Sequence, residues 1–203
     1  MQAGFVLPLY PLDGFVLLPT LEVEVTPVGA VALEVIRRAS AHDDLLVASF
    51  YEDEAVHEVG VRAQVIPTEK GQGSVIFRAL SRCRLRQLEA EDIPMVRAEN
   101  FPDTPRPLQR QEPLRRLLLR RFSRLWCDAD RELCHGMRTL SLETLTWRLT
   151  AQLQLEPSQQ QGLLNLADPV ARGQVLLLAL RELERRQRFL RPYMWLRKGG
   201  QWN

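Results

Sequence analysis

Hydrophobic and polar positions change period near the middle of the chain. In the first half they alternate. Phe5 to Tyr10 is a short apolar run and reads as a strand. Leu21, Val23 and Val25 alternate with Glu22 and Glu24, which predicts a strand with one dry face. Thr26-Pro27 supplies an N-cap and a proline for the first helical position. Val28, Val31, Val35 and Ile36 follow at helical spacing, toward a helix end near Ser40. Leu45 to Phe50 is continuously apolar, as a central strand is. Val59, Val61, Ala63 and Val65 alternate with Gly60, Arg62 and Gln64. Lys70-Gly71-Gln72-Gly73 then turns the chain, and Ser74 to Leu80 returns as the second arm of a hairpin. Cys83 and Leu85 alternate with Arg82, Arg84 and Arg86, and a further strand covers about Met95 to Glu99.

Asn100 to Pro113 carries four prolines and reads as a junction. The pattern beyond it is helical. Leu114, Leu117, Leu118, Leu125 and Trp126 form one stripe, and Leu142, Leu145, Leu149 and Leu153 form another. Pro157-Ser158-x-x-Gln161 has the spacing of a capping box. Asp168-Pro169 opens a last long helix with Leu176, Leu180, Leu183 and Leu190 on one face, ended by Pro192. The expected fold class is therefore α+β, a β domain with one helix over residues 1–105 and an all-α bundle over 106–203.

Composition narrows the classes. With 203 residues, 45% hydrophobic and 26% charged, the chain is neither mainly disordered nor collagen-like. Its apolar runs are too short for a bilayer-spanning helix. The apolar start lacks a basic n-region and is broken by Pro8, Pro11 and Asp13, so a cytoplasmic protein is expected. Cys83, Cys127 and Cys134 are too few for a disulfide framework. Charge divides unevenly: residues 1–105 hold 16 acidic and 9 basic side chains, residues 106–203 hold 9 and 18. Apart from Lys70 and Lys198, every basic residue is arginine.

The search for chemistry is mostly exclusion. The chain has no Gly-Lys dipeptide, hence no P-loop. It has no G-x-S-x-G and no H-E-x-x-H. Cys134 and His135 are neighbours on a helix and diverge, so no Cys-His dyad is expected. Cys127, Cys134 and His135 lack a fourth metal ligand. Asp43-Asp44 and Glu52-Asp53-Glu54 lack the oxygen spacing of a calcium loop. No catalytic residue, metal or cofactor is expected. The row Arg82, Arg84, Arg86 is a candidate basic contact face, with cross-strand pairing to acids as the alternative. Tyr193, Trp195 and Trp202 make the carboxy-terminal tail a candidate docking element.

Several segments, in order, resemble the amino-terminal substrate-binding domain of the Lon protease family. They are LPLYPLDGFVLLPTLEVEV with Pro8, Pro11 and Pro19, EVGVRAQVI with Gly60, SVIFRALSRCRL, and ADPVARGQVLL. The likeness runs from about Phe5 to Leu190. It implies a PUA-like β pseudo-barrel followed by a helical bundle, standing free of the family's ATPase and peptidase domains. It implies a non-catalytic module that binds unfolded or exposed apolar polypeptide segments. Phe15, Val16, Leu17 and Leu18 are the candidate contact residues, on an apolar surface between the two halves. Two alternatives stay open: RNA binding, as in other PUA-like domains, and an adaptor that docks onto a separate ATP-dependent protease.

Overall fold

The computed structural model describes residues 4–68, 73–89, 92–126 and 130–190. Most of the Lys70–Gly73 turn, Cys127 and the aromatic tail lie outside the described residues. In chain order the elements are β1 (Phe5–Asp13), β2 (Glu22–Val25), α1 (Ala30–Ala39), a 3-10 turn (Ser40–His42), β3 (Leu45–Glu52), β4 (Ala55–Val56), β5 (Val59–Pro67), β6 (Val75–Glu89) and β7 (Met95–Asn100). Helices α2 (Leu108–Trp126), α3 (Arg131–Met137), α4 (Leu142–Gln152), α5 (Pro157–Asn165) and α6 (Pro169–Leu190) complete it. Contacts divide the chain into a sheet unit, Met1–Thr104 with Gln154–Ala167, and a helical unit, Pro105–Leu153 with Asp168–Asn203.

An α+β architecture of sheet and helical bundle is present, but the closed pseudo-barrel expected from the resemblance is not. The strands form one seven-stranded sheet in the order β1-β7-β6-β5-β3-β4, with β2 beside β6. β1 also touches β3, but its two pairings use different residues. Phe5 to Pro8 run antiparallel to β7, and Leu9 to Asp13 run parallel to β3. Among the described residues no position of β1 is paired on both sides, so the hydrogen-bonded ring never closes at one level. Pro8 and Pro11, which have no N–H to give, sit around this switch. At the switch itself the Leu9 N–H leaves the ladder for the Pro94 carbonyl, 2.8 Å away. Among the described residues up to Thr104 α1 is the one α-helix, and α5, from the second half of the sequence, also belongs to the sheet unit.

The hairpin of β5 and β6 forms with Pro67 opposite Val75. The two segments expected on either side of residue 81 are one strand, β6, because irregularities let it bend. One falls opposite Arg62 and Ala63 and the other between Leu85 and Gln87. Leu7, Leu9, Val47, Cys83, Val96 and Ala98 form a buried cluster between the strands. The Tyr10 and Phe77 rings meet edge to face at 5.0 Å.

In the helical unit, Leu118 and Phe122 of α2, Leu145, Trp147 and Leu149 of α4, and Leu176 and Leu180 of α6 are fully buried. Arg172 is buried with them; its guanidinium lies 3.9 Å from the centre of the Trp147 ring and its Nε donates to Thr146 Oγ1. Ser141 caps α4 by accepting from the Thr144 N–H, and Asp168 accepts from the Val170 N–H at the start of α6.

Candidate functional site

The four apolar residues singled out from the sequence are mostly interior. Val16, Leu17 and Leu18 are buried and Phe15 is half-buried. The arginine row is engaged within the sheet unit. Arg82 is buried, pairs with Asp103, and donates through Nη1 to the carbonyls of Leu164 and Leu166 at 2.8 and 2.9 Å. Arg84 lies over the Phe101 ring at 4.5 Å. Arg86 falls at the strand irregularity and pairs with Glu99, which raises the guanidinium's affinity for its proton and holds the carboxylate below its ordinary range.

The large apolar side chains that the sheet unit does expose lie elsewhere. Val28, Val31 and Leu33 are 85%, 58% and 55% exposed, more than Tyr51 or Leu80. They cluster in sequence at the start of α1. Thr26-Pro27 does not open that helix. Gly29, with φ at 88°, turns the chain first, and the helix begins at Ala30. Val28 is thereby left outside the helix and outside the core. Within α1 only Val35 and Ala39 are buried, against β1 and β3. Leu33 sits on the side of the helix away from Val35. Glu34, Arg37, Arg38, Asp92 and Ile93 line a cleft beside α1, and Glu34 and Arg37 pair across one turn. Sequence periodicity had placed Val28 and Val31 at helical spacing with Val35 and Ile36. The glycine between them was the available signal that the register breaks.

The Gln161 side chain, expected in a cap, instead donates to the Val59 carbonyl at 2.9 Å and ties α5 to β5. The reciprocal cap falls earlier, where Gln159 Oε1 accepts from the Glu156 N–H. Cys83 is a buried free thiol and Cys134 is buried too; burial pushes the Cys83 thiol up to about 12. Among the described residues no cluster of His, Cys, Asp and Glu could hold a metal ion. No helix among them is long and apolar enough to cross a membrane.

No curated protein matches the chain. The amino-terminal domain of the Lon protease of the Mycobacterium avium complex is similar in structure, with a TM-score of 0.74 at 17% identity, over 87% of this chain and 98% of that one. A Lon N-terminal domain protein from Xanthomonas campestris is similar with a TM-score of 0.62 at 20% identity, over 86% of this chain and 98% of that one. The family model of the ATP-dependent protease La (LON) substrate-binding domain matches residues 6–182. The chain belongs to that substrate-binding domain family, whose matched part is neither ATPase nor peptidase.

Proposed function

We propose that this chain is a polypeptide-recognition module that holds exposed apolar segments of unfolded proteins in the cytoplasm, and that a separate ATP-dependent protease acts with it. The observation that carries the reading is the exposure of Val28, Val31 and Leu33 at the start of α1, in a member of a substrate-binding family. Each such side chain, if fully covered by a client, contributes about 1.5–3 kcal/mol, less the cost of ordering the client. Three of them support weak, sequence-tolerant capture. The free, buried thiol of Cys83 fits a reducing compartment. The RNA-binding reading draws no support from Arg82, Arg84 and Arg86, since Arg82 and Arg86 pair with carboxylates and Arg84 lies over a ring.

Light scattering of chemically denatured citrate synthase on dilution tests the reading. The protein is expected to delay aggregation without ATP, and Val28→Ser with Leu33→Ser to weaken that delay. Aggregation at the same rate with and without the protein would contradict it.

A further inference from the structure

Strand β2 pairs with β6 on one side only. Glu22 faces Arg78, Val23 faces Phe77, Glu24 faces Ile76 and Val25 faces Val75. Among the described residues no strand pairs with its other edge. The Ala79 N–H donates to the Leu21 carbonyl at 2.8 Å, which turns the main chain of Leu21 toward β6. Antiparallel alternation then turns Val23 and Val25 the same way, and turns the N–H and C=O groups of Glu22 and Glu24 outward. Such an edge is a template for another extended chain.

Building on the polypeptide-binding reading, we infer that the open edge of β2 takes up an extended segment of the client as an added strand. Main-chain hydrogen bonds supply the attachment, and alternate side chains supply the preference. On one face the added strand meets the Glu22 and Glu24 carboxylates, which are exposed although Glu22 pairs with Arg78 and Glu24 accepts from Ser74. On the other it meets half-buried Val23. Lysine or arginine alternating with apolar residues is the complementary pattern. The sheet half of the sequence is acidic as well, with 16 acidic against 9 basic residues to position 105. A second copy of this chain fits worse, because its β2 would set Glu22 and Glu24 against their like. The edge leads directly into the segment that exposes Val28, so one client could run from strand pairing into apolar contact.

Two fluorescent decapeptides test this by anisotropy with the full chain: one alternates valine and lysine, the other valine and glutamate. A third is the lysine peptide N-methylated at every second residue. The lysine peptide is expected to bind at least tenfold more tightly than either of the others. On its addition, amide exchange read by NMR is expected to slow at Glu22 and Glu24. Equal binding of the parent and N-methylated peptides overturns the inference, as does unchanged exchange at both glutamates. If reduced, carboxyamidomethylated lysozyme is retained and protects Val28 to Leu33 but not β2, strand addition is wrong and polypeptide binding stands. If neither it nor any peptide binds, both are wrong.

Discussion

Arg82 and Asp103 form an ion pair in the interior of the sheet unit, with side chains 3% and 10% exposed. The same guanidinium holds the carbonyls of Leu164 and Leu166 and lies 4.6 Å from the centre of the Phe101 ring. It thus ties β6 to the segment after β7 and to the end of α5. Removing one partner strands a buried charge, which costs about 3–5 kcal/mol. Arg82→Ala is expected to lower the unfolding free energy by that amount in urea titrations followed by circular dichroism. Arg82→Lys should recover little, because an ammonium lacks the planar fork. A loss below about 1 kcal/mol for Arg82→Ala would remove this assignment.

Gly60 allows β5 to lie close to β3. A Cβ there would fall 2.7 Å from the Ala48 carbonyl oxygen and 3.2 Å from Ser49 Cβ. Backbone cannot swing aside as a side chain can. Gly60→Ala is expected to destabilise by about 1–3 kcal/mol. A Cβ added at Gly162 in α5 would have nothing within 4 Å of it, so Gly162→Ala should stabilise by about 0.5–1 kcal/mol. Thermal melts of the two variants should therefore move in opposite directions.

Asp168 works twice at the start of α6. It accepts from the Val170 N–H at 2.9 Å and from Arg106 Nη2 at 2.7 Å. The Arg106 guanidinium, with help from the helix N–H groups, holds its carboxyl below the ordinary carboxylate range. A depressed folded value gives stability that is present in full above the unfolded value. That stability is lost as pH falls through the folded one. Asp168→Ala is expected to cost about 1 kcal/mol at neutral pH through the lost cap. Asp168→Asn keeps a capping oxygen and should fall below wild type at neutral pH only. Melting curves from pH 7 to pH 2 should converge at the acid end; a constant gap would contradict the charge argument.

Cys83 lies in the sheet interior, and its thiol is raised to about 12 by loss of solvation. The thiolate is the reactive form. Native protein treated with iodoacetamide at pH 8 should remain unmodified at Cys83 and at buried Cys134. Both should react after denaturation, as mapped by peptide mass spectrometry. Rapid native labelling of Cys83 would show that this part of the sheet opens readily.

Periodicity made much of the secondary structure legible, because each signal was local. Val59 to Val65 alternates and is β5; Leu142, Leu145 and Leu149 recur and are the buried face of α4. Asp168-Pro169 marked the start of α6 to the residue. What stayed illegible was non-local. Arg82 reads as one of a row of three strand arginines, a contact face or cross-strand partners, until Leu164, 82 positions later, returns to meet it. Phe15 to Leu18 has no period, so its pattern could not say whether it faces solvent; most of it faces inward. Val28 and Val31 carried a helical spacing that Gly29 interrupts through its backbone angle. The ring expected of the sheet failed for a similar reason, since Pro8 and Pro11 were visible but the divided pairing of β1 was not.

Direct binding of an unfolded chain is the closest test of the central claim. Fluorescently labelled, reduced and carboxyamidomethylated lysozyme would be titrated with the protein in the absence of ATP, alongside native lysozyme. The account predicts saturable binding of the unfolded form alone, weakened at least tenfold when Val28, Val31 and Leu33 are changed together to serine. It is contradicted if unfolded and native lysozyme behave alike, or if the triple variant, still folded by circular dichroism, binds as wild type does.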